Sequence, residues 1–516
     1  MSVLPFKNEP LTDFSDAKIK VEFEKALAKA RGNFGKHWDL LINGERVATS
    51  QHIRSIDPAS PSDLVGTVGK ADKTLAERSI EAAYEVFQKS WRWVSPEVRS
   101  RYLLKAAHLL RQRKHEFSAT MVYEVSKNWV EADADTAEAI DFLEFYAREM
   151  LRLGGSQPVV PYPGEENILY YEPLGVVVVI PPWNFPLAIM SGMTVAALVT
   201  GNTVVLKPAS TAPVIAAKFV DLMMEAGLPT GVLNFVPGSG GEVGDTLVAH
   251  SKTRMIAFTG SMETGLHIHE LAAKRHPGQI WIKRTLLEMG GKDALIVDAT
   301  ANPDFAAQQA VISAYGFQGQ KCSACSRLII VEPLYDTVVR KVVELAKKLT
   351  VGHPYQNHNL GAVIDGPAFE KIRSYIEFAR DEGAKLEYGG KVREDGFYIE
   401  PTVFSNVLPD QRIAKEEVFG PVLACIKAKD FDQAIKIFNG TEFGLTGGLI
   451  SNNREHLERA RRECHVGNLY FNRKITGALV GVQPFGGFNM SGTDSKAGGQ
   501  DYLLLFMQAK SVAERW

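Results

Sequence analysis

The sequence predicts an α/β fold built on parallel sheets, and three observations carry that expectation. β-Branched runs alternate with amphipathic helical windows along most of the chain, the pattern of strands joined by crossover helices. The most apolar stretch, from Leu174 to Pro182, reads LGVVVVIPP, the near-continuous hydrophobic run of a strand buried on both faces. It falls well short of the roughly 20 residues a membrane-spanning helix needs. Stops such as Gly227-Leu228-Pro229 punctuate the helical windows, with Gly after the last turn and Pro shortly beyond.

In chain order, a helix is expected over 133–151, with Ile140, Leu143, Ala147 and Met150 at helical spacing and acids on the other face. The Pro- and Gly-rich stretch 154–164, GGSQPVVPYPG, reads as a linker or an arm between packed bodies. Strands follow at 176–180, 203–206 and 232–236, with a helix over 214–226 opened by Pro213. Further strands are expected at 255–258, 294–297, 327–331 and 422–426, and a helix at 305–315. A second Gly-rich stretch, 477–499, precedes the C-terminal tail.

Composition narrows the class. A length of 516 residues suggests two to four lobes. Lys and Arg number 58 against 60 Asp and Glu, a formal net charge of −2, which argues against nucleic-acid binding by a general basic surface and against a polybasic membrane adapter. The opening MSVLPFKNEPLTDF lacks the basic and apolar regions of an export signal. Four cysteines make no disulfide framework at this length, so a reducing cytoplasmic setting is expected.

Common phosphate and metal motifs fail. Gly291-Lys292 is followed by Asp293, where a Walker A loop needs Ser or Thr. Gly238-Ser-Gly240-Gly-Glu-Val-Gly244 follows an expected strand, but its third glycine comes one residue late for the dinucleotide fingerprint. Cys322 and Cys325 form one C-x-x-C without a second pair, and His267 and His269 fall on different sides of a helix, so no metal is expected.

Three stretches carry chemistry. In GFQGQKCSACSR (316–327), Cys322 sits among glycines and small polar residues, where Lys321 and loop amides would favour a nucleophilic thiolate. In LEMGGK (287–292), Glu288 precedes a Gly-Gly pair and is a candidate general base. In PWNFP (182–186), Asn184 lies beyond the carboxyl end of a strand, placed to donate to a developing oxyanion. Each stretch alone also reads as an ordinary turn, cap or structural cysteine.

Together, and in this order, they resemble the aldehyde dehydrogenase family. The matching segments are PWNFP, GNTVVLKPA (201–209), FTGSMETG (258–265), LEMGGK, GQKC (319–322) and EEVFGP (416–421). The segments 467–492 and 133–148 resemble, more narrowly, the monofunctional bacterial 1-pyrroline-5-carboxylate dehydrogenase subgroup. The resemblance implies a Rossmann-like parallel-sheet cofactor domain over 1–150 and 170–287, an α/β catalytic domain over 288–487, and a small β oligomerisation arm over 151–169 and 488–516. It implies oxidation of L-glutamate γ-semialdehyde to glutamate through a thiohemiacetal and thioester on Cys322. Asn184 and the Cys322 amide would hold the oxyanion, and Glu288 would activate the water.

The resemblance also assigns binding groups. Lys207 is similar to the residue that bonds the adenosine ribose, and Gly240, Gly260 and Ser261 fall near the pyrophosphate. Glu417 would hold the nicotinamide ribose, with Phe419 beside the ring. Ser210 stands where many NAD-preferring relatives carry an acid, so NADP stays open beside NAD. Ser323, Gly477 and Ala478 would hold the substrate carboxylate, Phe185 and Phe485 would flank its aliphatic middle, and the ammonium partner falls within 131–141. A homodimer is the minimum assembly implied, with a hexamer of dimers as the larger form. Another carboxylated semialdehyde such as succinate semialdehyde is the alternative substrate. A Cys–Glu hydrolase or a catalytically silent binding protein are the alternatives from other classes.

Overall fold

The computed structural model describes residues 4–516, and two seven-stranded sheets organise them. The first sheet runs Arg284–Glu288, Thr253–Thr259, Val176–Ile180, Thr203–Leu206, Leu233–Phe235, Leu40–Ile42, Glu45–Val47. Its first five strands are parallel; Leu40–Ile42 pairs antiparallel with both its neighbours, so Glu45–Val47 runs with the first five. From Val176–Ile180 the chain steps to one side through two strands, then returns to the other side with Thr253–Thr259. A doubly wound sheet opens its ligand crevice at such a switch point, beyond the carboxyl ends. Val176 to Val179 are fully buried: Val177 and Val179 share a core with the apolar crossover helices Ala188–Val199 and Pro213–Glu225 on one face, and Val176 and Val178 share one with Ala76 and Ile80 on the other.

The second sheet runs Lys385–Tyr388, Thr402–Ser405, Val422–Ala428, Arg327–Val331, Ala294–Val297, Thr446–Ile450, Asn468–Phe471, parallel except for its first strand. Arg327 is buried at its amino end, where the guanidinium donates to the carbonyls of Lys292 (2.8 Å), Ile437 (2.9 Å) and Phe438 (3.0 Å). A separate ribbon pairs Glu165–Pro173 with Met507–Arg515 and stands largely in solvent.

Differences from the expected elements have physical causes. The helix expected over 133–151 runs Trp129–Leu153, because the Asn128 side chain caps it by accepting from Glu131 N at 3.0 Å. Its acids do not face solvent: Asp133, Asp135 and Asp141 are buried, each bonded to a group from elsewhere in the chain. Residues 488–506 return over Glu288 and pack Tyr502, Leu503 and Phe506 into the main core, so the exposed ribbon is confined to its two strands.

Candidate active site

The carboxyl ends of the first sheet face the amino ends of the second. Glu288 ends the last strand of one sheet and Ala294 begins the first strand of the other, so Met289–Asp293 is the crossing between them. A cavity of about 390 Å³ opens at this junction. Trp183, Asn184, Gly260 and Ser261 line it from the first sheet; Cys322, Glu417 and Phe419 line it from the second.

Cys322 is held by a strained loop. Phe317 and Gln318 adopt left-handed backbone (φ 50° and 56°), unusual for non-glycine residues and sustained here by burial and bonding. Gln318 Nε2 donates to the carbonyls of Ser126 (3.0 Å) and Ala362 (2.9 Å), and Gln320 Oε1 accepts from Ile364 N at 2.9 Å. Asn184 Nδ2 donates to the Gln320 carbonyl at 3.1 Å. One of its two N–H groups is thereby fixed to the nucleophile loop, which leaves the other to donate. A Cβ on Gly291 would strike the Cys322 carbonyl oxygen, so the Gly-Gly pair lets the crossing pass beneath the loop.

The expected thiolate support from Lys321 is corrected by the structure. Lys321 Nζ pairs with Glu131 Oε1 at 2.7 Å, so its charge is neutralised away from the sulfur. Burial pushes the Cys322 thiol well above its usual range, and the carboxylates of Asp293, Glu288 and Glu417 push it further; only its own backbone amide counts the other way.

Glu288 is buried, and burial raises its carboxyl to about 7. The hydroxyl of Ser495 donates to Oε1, and Lys496 and the backbone amides of Ser495 and Gly487 oppose the rise. Oε2 is buried without a hydrogen-bond partner. A carboxyl near neutral pKa with one unoccupied oxygen suits proton exchange with a water.

The groups expected around a dinucleotide collect at the switch point. Lys207 follows the strand Thr203–Leu206, buried beside the turn Gly240–Gly244, and has no carboxylate partner among the described residues. Its one polar contact is the Pro208 carbonyl at 3.4 Å, and burial lowers its ammonium to about 8. Gly240 is exposed with open space above it. Gly260 N donates to the Glu288 carbonyl at 3.0 Å, and Ser261 caps the helix Met262–Ala273 by accepting from Thr264 N at 3.3 Å. Glu417 Oε1 accepts from Gly291 N at 2.8 Å, and Phe419 (φ 59°) meets Trp183 edge-on at 5.6 Å. Ser210 is exposed and lies off the cavity wall. Ser261 at a helix N-terminus and Glu417 on the cavity wall, with buried Lys207 two residues before the wall residue Ala209, fit a nicotinamide dinucleotide.

Ser323, Phe185, Phe485, Gly477 and Ala478 do not line this cavity. Ser323 is buried, and Phe485 N donates to Ala497 O at 2.9 Å. Phe185 and Phe317 lie under the Lys127 ammonium, 4.0 and 4.6 Å from their ring centres. Lys127 pairs with Asp135 at 2.8 Å. Gly477 is exposed with φ 73°, and a Cβ there would sit 3.3 Å from Lys474 Nζ. Burial lowers the Lys474 ammonium, with Lys321 adding to the drop and Glu131 opposing it.

Sequence reasoning left the acid of 131–141 unassigned, and the structure separates its five candidates. Glu131 pairs with Lys321, Asp133 with Lys114, Asp135 with Lys127, and Asp141 with Asn8. Glu138 has no bonded partner among the described residues; burial, reinforced by Asp135, raises it to about 8 while Lys127 opposes. Gln320 and Glu138 stand inside the matching segments 319–322 and 133–148, but neither they nor Ser495 drew a role from the sequence. Their partners in the folded chain mark them: Gln320 with Asn184 and Ile364, Ser495 with Glu288, and Glu138 with none among the described residues.

Comparison with known proteins agrees with this arrangement. Residues 45–512 match the aldehyde dehydrogenase family. The chain is 59% identical over 513 residues to the 1-pyrroline-5-carboxylate dehydrogenase of Geobacillus sp. strain WCH70, covering 99% of each. A crystal structure of 1-pyrroline-5-carboxylate dehydrogenase from Thermus with bound NAD superposes with a TM-score of 0.98 at 54% identity, covering all of both chains. Proline utilization A from Bdellovibrio bacteriovorus matches with a TM-score of 0.97 at 42% identity, over 99% of this chain and 53% of that one. The chain belongs to the aldehyde dehydrogenase family.

Proposed function

We propose that this protein oxidises L-glutamate γ-semialdehyde, the open form of 1-pyrroline-5-carboxylate, to L-glutamate, the second step of proline breakdown. The observation that carries the reading is the junction of the sheets: Asn184 and Cys322 open onto one cavity, and Met289 on its wall directly follows Glu288, whose Oε2 is buried without a partner. Full-length likeness to 1-pyrroline-5-carboxylate dehydrogenases supports the substrate.

The Cys322 sulfur attacks the aldehyde carbon and its proton leaves to solvent through the open cavity, so Glu288 is kept for the later water. The free N–H of Asn184 and the Cys322 amide hold the oxyanion of the thiohemiacetal, neutral donors where charge develops. The bound nicotinamide accepts the hydride as the thioester forms. Glu288, having released its proton to solvent, takes one from water; the water attacks the thioester carbonyl, and the Cys322 sulfur leaves.

Ser323 and the amides of Gly477 and Ala478 hold the α-carboxylate, a backbone nest for an anion. Glu138, the uncommitted acid of its helix, receives the ammonium. Phe185 and Phe485 flank the methylenes. Lys207 bonds the adenosine ribose, Gly240, Gly260 and Ser261 border the pyrophosphate, Glu417 holds the nicotinamide ribose, and Phe419 backs the ring. No acid stands at Ser210, so NADP is admitted beside NAD.

The cofactor domain comprises 1–150 and 170–287, the catalytic domain 288–487, and the arm lies within 151–169 and 488–516. The unpaired edges of the ribbon 165–173 and 507–515 suit strand addition across a homodimer, the building block of a hexamer. Four free thiols suit the cytoplasm, and no described helix is long and apolar enough to cross a membrane. The test is nicotinamide reduction by purified protein given glutamate semialdehyde. Faster turnover of succinate semialdehyde overturns the substrate; turnover without nicotinamide overturns the dehydrogenase.

A further inference from the structure

Residues 4–12 take no part in this chemistry, yet they run as a strap over the helix Trp129–Leu153 and onto the loop 477–481. Arg148 Nε donates to the Leu4 carbonyl at 2.8 Å. Phe6 meets Phe145 edge-on at 5.2 Å, and both rings close on Gly481, where a Cβ would sit 3.2 Å from each. Glu9 N donates to Asp141 Oδ1 at 2.6 Å. The amide and hydroxyl of Thr12 donate to Asp133 at 2.8 and 2.5 Å. The Lys114 ammonium reaches the Pro10 carbonyl at 2.9 Å.

Asn8 joins three parts of the molecule. Its Nδ2 donates to Asp141 Oδ2 at 2.8 Å and to the Val480 carbonyl at 2.9 Å, across 472 residues of sequence. Asn8 ties this loop to the helix Trp129–Leu153 by hydrogen bonds. Gly477 and Gly481 both adopt left-handed backbone, and Leu479 is exposed. The other bonds to the loop are local or go to the glycine-rich segment after it: Leu479 N to Gln483 Oε1 (3.0 Å), Val482 N and Gln483 N to the Leu479 carbonyl (3.0 and 2.9 Å), Gly481 N to Gly498 O (2.9 Å) and a long Arg473 contact to Gly477 O (3.4 Å). None of them fixes the turn against the helix, and flanking glycines leave its peptide planes free to reorient unless the backbone is tied there.

We infer that Asn8 is a positioning residue for substrate recognition: by fixing the Val480 carbonyl against the helix Trp129–Leu153, it sets the direction of the Gly477 and Ala478 amides toward the substrate carboxylate. The inference rests on the proposed role of those amides. Asn8 touches neither Cys322, Asn184 nor Glu288, so its effect is confined to carboxylate-bearing aldehydes.

The test compares Asn8→Ala with the unaltered full-length protein, on glutamate semialdehyde and on pentanal, an aldehyde of equal carbon count with no carboxylate or ammonium. KM for the semialdehyde rises on the order of 10-fold, the loss of one hydrogen-bonded constraint. Its kcat stays within about twofold, and both constants for pentanal are unchanged. An unchanged KM overturns the inference, and so does an equal loss on pentanal, which marks a general structural defect. Asn8→Ser, which shortens the side chain while keeping one donor, covers the case in which Asn8→Ala fails to fold; it shows a smaller rise in the same constant, and no rise overturns the inference. Ser323→Ala separates the underlying reading: if it leaves the semialdehyde KM unchanged, the carboxylate assignment fails, whereas a rise with Ser323→Ala but none with Asn8→Ala sinks only the role of Asn8.

Discussion

Around Cys322 the chain is fixed from close by. Asn184 bonds the carbonyl of Gln320, two residues before the nucleophile, and Gly291 lets the sheet crossing press against the Cys322 backbone. Around Gly477 the support comes from far away: Asn8 reaches Val480, and the charges beside the loop belong to Glu131, Lys321 and Lys474. The first region is built from buried backbone at the ends of two sheets, the second from side chains that cross between distant segments. The difference separates two tasks. On the proposed assignments, chemistry common to every aldehyde sits where the sheets dictate geometry, and recognition of one aldehyde where side chains can be exchanged without disturbing a strand.

Mutations on the two sides therefore have different kinetic signatures. Cys322→Ala removes the nucleophile, and turnover of every aldehyde falls on the order of 10⁴-fold or more, while nicotinamide binding, read by fluorescence titration, persists. Asn184→Ala lowers kcat about 10²-fold for glutamate semialdehyde and pentanal alike, because one oxyanion donor is lost. An effect confined to the semialdehyde breaks the division. Ser323→Ala acts on the other side: KM for the semialdehyde rises on the order of 10-fold in steady-state assays, with pentanal unaffected.

The smallest effect is one of pH. Glu288 serves as a base only when ionised, and its carboxyl lies at about 7, so the deacylation rate rises with pH through that value and then levels. Ser495→Ala removes a hydrogen bond that favours the charged form, so the midpoint of the pH–rate profile moves upward. The rate below the midpoint falls several-fold while the high-pH plateau stays put.

The two regions also differ in how readily they are read from sequence. Strands such as Val176–Ile180 and Ala294–Val297 were legible because strands buried on both faces must be apolar throughout. Cys322, Glu288 and Asn184 stood out as candidates because Cys322 and Asn184 stand in short loops of glycine, proline or small polar residues and Glu288 ends its strand just before a Gly-Gly pair. Asn184, Lys207 and Glu288 follow the rule that ligand groups lie beyond carboxyl ends of strands; Cys322 and Glu417 approach from the amino ends of the second sheet, and only the packing of the sheets explains them. The charge of Lys321 was misleading, since its neutralising partner Glu131 lies 190 residues away. The acids of the helix Trp129–Leu153 looked like a solvated face, yet they are buried against Lys114, Lys127 and the strap 4–12, pairings with no local signature.

The central claim is that Cys322 carries the substrate and Glu288 releases it. Glu288→Gln, mixed rapidly with glutamate semialdehyde and NAD, tests both parts in one trace. A burst of about one reduced nicotinamide per subunit, followed by turnover slowed on the order of 10²-fold, is the predicted result, since the thioester forms but its water lacks a base. Steady turnover at the unaltered rate, with no burst, contradicts it.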